Sequence, residues 1–345
     1  MKSFKRHRDM GLFDSDFRIE KLIRLGDPLY RLSKGVDFEL FRPMLQEGLD
    51  KLAQGAGGRP PYDYVLMFKI LVLQRYFNLS DDQVEFQICD RISFMRFLGL
   101  TVSDDVPDSK TVWHFRERLV DLGLIKLLFD SFIGKLEKLG LILNEGKIVD
   151  ASFVEVPKQR NTREENKQIK EGEVPEAFLE NPAKLAQKDV DARWTKKDNM
   201  NYYGYKNHIK VDGKSKLITG FKVTDASVHD TQAIVDLIDE KDKDQPLYAD
   251  SAYAGEDLRL KLEGKGVKSS IHEKGFRNKP LTEQQKADNK KKSTVRARVE
   301  HVFGFMENNM NGMILAHIGI KRIESAVGMM NLVYNMFRKI QLQPL

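Results

Sequence analysis

Asp150, Asp250 and Glu300 stand in contexts where a carboxylate needs a reason. Asp150 interrupts KIVDASFVEV at 147–156, a run rich in β-branched residues, and two-residue alternation puts it on the side of Ile148 and Ser152. A carboxylate among buried neighbours is costly unless paired, hydrogen-bonded or coordinated to a cation. Taken alone, Asp150 could equally cap a strand end. Asp250 repeats the arrangement: Leu247-Tyr248-Ala249 leads in, and Ser251-Ala252-Tyr253-Ala254-Gly255 turns the chain away. An acid at the carboxyl end of a strand in an α/β sheet lies where ligands gather. Glu300 falls on a helix predicted over 294–308, beside a buried stripe of Val295, Val299, Val302, Phe303 and Met306. It shares a face with Arg296, Gly304 and Glu307. An Arg296–Glu300 ion pair is the plain reading, but Gly304 in a helix interior suggests a close approach. His301 points about a quarter-turn away from Glu300 and is not counted as a ligand.

Carboxylates from two strands and a helix can hold two hard divalent ions, Mg²⁺ or Mn²⁺, which prefer oxygen ligands and keep positions open for water and phosphate oxygens. The chemistry expected is phosphodiester cleavage and transfer, with Asp150, Asp250 and Glu300 as both catalytic and metal-binding residues. Water would attack in a first step and a DNA 3′-hydroxyl in a second.

The elements that must position these acids fall into two regions, α-helical at 1–143 and mixed α and β at 144–345. Pro60 and Pro61 precede an almost wholly apolar helix at 62–77, and Ser80-Asp81-Asp82-Gln83 supplies a capping box for the next. Ser109 is read as the N-cap of a helix from 111 in which Trp113 belongs to the core, and a further helix follows at 122–139. The arrangement resembles a helix-turn-helix. Beyond Gly146, strands are predicted at 147–156, at 202–211 and 216–224 as a hairpin around Asp212-Gly213, at 246–250 and at 267–271, with helices at 229–239 and 256–262. His229 and Asp230 are read as a helix start. This order suits an α/β layered domain. Residues 157–200 are polar and charge-mixed, and read as a long flexible insertion.

At 345 residues with a formal net charge of +6, the chain has room for about two domains and permits a polyanionic partner. The single cysteine, Cys89, excludes an internal disulfide and a thiolate zinc cluster, and a reducing cytoplasm fits best. No apolar run is long enough for a membrane span. Lys286, Lys290, Lys291, Lys292, Arg296 and Arg298 cluster before Glu300 and are candidate phosphate contacts. Lys206, His208 and Lys210 alternate along a strand as one basic face that could line a cleft. Trp194, beside Lys196 and Lys197, could stack on an unpaired base or simply anchor its loop.

The motifs together resemble DDE transposases of the insertion-sequence 4 and 5 groups. IVDASFVEVP surrounds Asp150, LYADSAYAG surrounds Asp250 and RARVEHVFGFM surrounds Glu300. DARWTKK, YYGYKNHIKVD and VTDASVHD lie between the first two acids, and LDKLAQGAGGRPPYDYVLMFKILVLQRYFNLSDDQ is similar to the family's N-terminal helical region. The family's Tyr-Arg-Glu-Lys series is matched at Arg296 and Glu300, with Ser293 and Glu307 at the other two positions. The resemblance implies a ribonuclease-H-like mixed-sheet catalytic domain after a helical region that binds DNA ends. It implies double-stranded DNA as partner, both element ends and target, and a homodimer or higher oligomer that holds two ends together. The alternatives are a structure-selective nuclease without strand transfer and a catalytically silent DNA-binding regulator.

Overall fold

The computed structural model describes residues 14–51, 60–197, 199–276, 279–310 and 312–344. The basic stretch 1–13, and residues 52–59 of the LDKLAQGAGGRPP motif, lie outside the described residues.

Among the described residues, eight α-helices come first: α1 (Asp14–Arg24), α2 (Pro28–Gly35), α3 (Arg42–Asp50), α4 (Tyr64–Phe77), α5 (Asp81–Asp90), α6 (Ile92–Leu98), α7 (Ser109–Asp121) and α8 (Leu124–Lys138). The apolar sequence of α4 is buried on nearly every side, from Val65 to Tyr76, as an all-round hydrophobic helix requires. Asn78, in the left-handed region, ends it, and the Ser80/Gln83 capping box starts α5. Asp108, not Ser109, caps α7, its carboxylate accepting from the Thr111 N–H. Trp113 is not a core residue. It is 41% exposed, because Val112, Phe115 and Leu119 take the buried stripe of α7.

After β1 (Lys147–Glu155) the insertion is more ordered than its composition suggests, forming α9 (Arg163–Lys170), α10 (Glu176–Leu179), α11 (Pro182–Leu185) and β2 (Arg193–Lys197). Ile169, Phe178 and Ala192 are buried. Asp189, buried as well, accepts from the Tyr205 hydroxyl at 2.7 Å and from the backbone N–H groups of Asp191, Ala192 and Gly319. The expected flexible stretch is therefore corrected: one satisfied carboxylate ties it to the sheet and to the chain before the last helix.

The sheet continues with β3 (Met200–Asp212), β4 (Ile218–Asp225), α12 (Asp230–Leu237), β5 (Pro246–Tyr248), α13 (Glu256–Gly264) and β6 (Lys268–Ser269). The last helices are α14 (Glu283–Arg296), α15 (Glu300–Asn309) and α16 (Ile320–Leu342). The long strand β3 runs antiparallel to β1, β2 and β4, while β5 is parallel to β1 and β6 to β5. Gly204 pairs with Glu155 of β1 on one side and Arg193 of β2 on the other, so β2 and β4 share the edge of β3 opposite β1. Its φ is +142°, and a Cβ there would lie 2.3 Å from the Val154 carbonyl oxygen, which leaves glycine as the residue that fits.

One face of the sheet lies under α16, whose Asn331 amide pairs with Asn207 and whose Asn335 bridges the Ile218 N–H and C=O. A single apolar cluster joins this face, α16 and the N-terminal helices. A smaller one, containing Val149, Ile234, Leu247, Ala249 and Tyr253, fills the opposite face beneath α12 and α13.

Candidate active site

The β1–β5 register brings two of the acids together. Lys147 pairs with Leu247 and Ile148 with Tyr248 in parallel, so the same offset carries Asp250 level with Asp150 as the chain leaves β5. Asp250 lies beyond the strand, where it caps the 3₁₀ turn Ser251–Tyr253 by accepting from the Ala252 N–H at 2.8 Å. The third acid arrives differently from the expectation of one continuous helix over 294–308. The helix breaks at residues 297–299, so α14 ends at Arg296 and Glu300 opens α15. The close approach expected at Gly304 is absent, since a Cβ there would meet only the Asn308 side chain, at 4.0 Å.

Arg296 joins the acids electrostatically. Its Nη1 donates to Asp150 Oδ2 at 2.9 Å and lies 3.7 Å from Glu300 Oε1, while Asp150 Oδ1 accepts from the Ala151 N–H. Burial nevertheless pushes the Asp150 carboxyl up to about 6; the Ala151 bond and Arg296 oppose this, and the charges of Asp250 and Glu300 add to it. Glu300 is itself exposed.

His272 was not singled out by any sequence motif, yet it clamps the segments that carry the acids. Its Nδ1 lies 2.9 Å from the Ala249 carbonyl oxygen, and its Nε2 lies 2.8 Å from the Ser293 hydroxyl and 3.1 Å from the Asn289 carbonyl oxygen. One ring thus links the residue before Asp250 to the last turns of α14, just ahead of Arg296. The polar residue Ser293, in place of the family's Tyr, is one end of this clamp. The contact spans 21 residues and has no local signature.

Oxygen-only donors suit a hard divalent cation. Among the described residues no three acids or histidines already stand close enough to hold a metal ion, and Arg296 is the counter-ion that Asp150 has. The donor chemistry fits, and a metal ion shared by the three would need the carboxylates to stand closer together than they do.

The basic residues divide into those at the surface and those with other duties. An open cleft of about 250 Å³ is lined by Ala151, Ser152, Phe153, Lys196, Lys197, Lys206 and His229 among others, and none of the three acids lines it. Lys206 is held there by the Val228 carbonyl and Asp230, both at 2.8 Å, and His229 caps α12 as expected. His208 and Lys210, expected on the same accessible face, are buried under α12. His208 bonds Thr224, and Lys210 is locked between Asp239 and Asp242, so neither can reach a ligand. Within the basic run, Arg298 donates to the Gly213 carbonyl and Lys292 to the Ile271 carbonyl, whereas Lys291 is exposed. Trp194 is 50% exposed, leaning on Tyr203 with the Lys158 ammonium 5.7 Å from its ring centre.

Residues 143–336, which include all three acids, match the family model described as the transposase DDE domain. The chain belongs to that family. Residues 17–118 of this transposase match a second model, described as a transposase domain (DUF772), and together the two agree with the resemblance to the insertion-sequence 4 and 5 groups. A cryo-EM structure of a piggyBac transposase synaptic complex with hairpin DNA is similar at 12% identity, covering 92% of this chain and 75% of that one, with a TM-score of 0.46. Among the described residues of the transposase, no helix is long and apolar enough to cross a membrane.

Proposed function

We propose that this transposase cuts phosphodiester bonds at the ends of a mobile element and joins the 3′-hydroxyl ends to target DNA, with Asp150, Asp250 and Glu300 as its catalytic acids. The observation that carries the reading is the register that sets Asp250 level with Asp150, joined by an arginine that touches Asp150 and faces Glu300. The sheet supports a ribonuclease-H-like assignment: an antiparallel β1–β3–β4 meander, extended by parallel β5 and β6 on the far side of β1. Two Mg²⁺ or Mn²⁺ ions held by the three carboxylates would activate the attacking oxygen and stabilise the leaving one. Arg296 holds Asp150 in place until then. The cleft with Lys196, Lys197 and Lys206 receives the strand backbone beside the cleavage point, and Lys291, exposed on α14, is a further candidate phosphate contact. The helices of residues 1–143 bind the terminal repeats ahead of a catalytic unit at 144–345, and a dimer holds two ends.

Purified protein, Mg²⁺ or Mn²⁺, end-containing duplex and a supercoiled target should give nicked ends and then joined products. Cleavage without joining would instead mark a nuclease, and tight repeat binding without cleavage a regulator. Replacing Lys196 and Lys197 together with Ala should weaken DNA binding and flatten the dependence of log K on log salt by about 0.9 per lost phosphate contact. An unchanged slope would remove these lysines from the DNA path.

A further inference from the structure

Helix α14 buries none of its side chains. Its sequence, EQQKADNKKKSTVR, offers Ala287 and Val295 as apolar residues; Ala287 is exposed, and Val295, in the last turn, leans partly buried on the large core. Hydrogen bonds therefore decide where the rest of the helix lies, and they converge on residues 271–273. Lys292 Nζ donates to the Ile271 carbonyl at 2.9 Å, and the Asn289 side chain accepts from the Glu273 N–H and donates to its C=O, both at 3.0 Å. Between these contacts sits the His272 ring, with the Ala249 carbonyl oxygen on one side and the Asn289 carbonyl oxygen and Ser293 hydroxyl on the other. Residues 268–272 are themselves fixed alongside the strand of Asp250. The backbone N–H groups of Lys268, Ser270 and His272 donate to the carbonyls of Gln245, Leu247 and Ala249, so the ladder of β5 and β6 runs on to the residue before Asp250. On the helix side, Ser293 lies one turn before Arg296, which holds Asp150 at 2.9 Å.

We propose that His272 is a positioning residue that pins α14 to the end of the Asp250 strand, and through α14 sets where Arg296 and Asp150 stand relative to Asp250. This role rests on the three-acid reading above. His272 itself touches neither DNA nor an ion; it acts through the helix that carries Arg296. A misplacement of about 1 Å from a change away from the reacting atoms can cost on the order of 100-fold in rate, so loss of the pin shows in turnover rather than in DNA binding.

The test compares the full native chain with His272→Ala, His272→Gln, Ser293→Ala and Asp250→Ala by two readouts. The first, without metal or DNA, is the rate of trypsin nicking at Lys290 and Lys291, both exposed on α14, which reports how often the helix lifts away. The second is the separation of kcat from KM in cleavage of end-containing DNA. His272→Ala should be nicked within α14 roughly tenfold faster while still unfolding cooperatively. Its kcat should fall roughly 10- to 100-fold at a native-like KM. Ser293→Ala, which deletes one exposed hydroxyl, should move both readouts the same way by less, and His272→Gln, whose amide can still donate towards the Asn289 carbonyl, should recover part of both. A change in one readout without the other, or in neither, overturns the proposal and leaves the acids standing. If His272→Ala loses cooperative unfolding, Ser293→Ala and His272→Gln decide by the same two readouts. If the native protein does not cleave, or Asp250→Ala cleaves normally, the three-acid reading falls and this role falls with it, whatever the nicking rates.

Discussion

Changing Asp150 to Asn is expected to reduce DNA cleavage by roughly a thousandfold or more while making the protein harder to unfold at neutral pH. On the proposed function, the activity loss follows from removing an anionic oxygen from the three acids that would hold the cations. The stability gain follows from linkage. The Asp150 carboxyl is pushed up to about 6, mainly by burial, above its value in an unfolded chain. Between about pH 4 and pH 6 the folded protein therefore holds a proton that the unfolded chain has lost, and stability falls as pH rises through that window. At pH 7 carrying the charge costs the fold on the order of 3 kcal/mol. Asn abolishes that cost but gives up the ion pair with Arg296, so a net rise of a few degrees in Tm is expected. Parallel cleavage assays and thermal unfolding at pH 7 test both halves. An inactive variant that also unfolds earlier would show that Asp150 is a structural partner of Arg296.

The second large effect lies at acid pH. His208 is buried, with Nε2 on the Thr224 hydroxyl and no partner for Nδ1 among the described residues. Its pKa is pushed down to about 4 by burial, with Asp230 opposing and Lys206 and Lys222 adding to the shift. His317, half-buried, is likewise pushed down to about 4 by burial and by Arg116 and Arg75. For a lowered histidine the unfolded chain binds the proton that the folded one refuses. The stability is fully present above about pH 6.5 and is lost as pH falls towards about 4, on the order of 3 kcal/mol per histidine. Asp150 works against part of this loss. His208→Gln keeps an amide near Thr224 and cannot titrate, so its urea midpoint should drop less between pH 7 and pH 4.5 than that of the native protein. An equal drop in the two would show that His208 is not the group responsible.

Several features were legible because they depend on a few neighbouring residues. The Ser80/Gln83 box, the all-round apolar α4 and the start of α12 at His229 are local matters of hydrogen bonding and periodicity. The helix break at 297–299 was missed because the apolar stripe runs through it: Val299, Val302, Phe303 and Met306 are all buried as their spacing suggests. Periodicity records which residues face the core, and a turn that keeps the same face inward leaves no mark on it. The order in the insertion was hidden for another reason. Its anchor is a buried carboxylate, Asp189, bonded to groups as distant as Gly319, and composition reads an aspartate as solvent-facing.

Asp150 and Asp250 were found because each acid sits at a strand whose own residues announce burial, a property of the strand alone. That Asp250 stands level with Asp150 depends on the register between strands a hundred positions apart. The Arg296–Asp150 bond spans 146 residues, and nothing in either segment names the other. The same division explains the correction at His208. Alternation says that His208 and Lys206 share a face of β3, but only the packing of α12 decides that His208 is sealed beneath it while Lys206 reaches a cleft. The sequence by itself determined which side chains could carry chemistry, because strand and helix periods are short-range. Tertiary structure alone decided which of them meet and which reach solvent, because sheet register and the layer covering each face are set by contacts between distant segments.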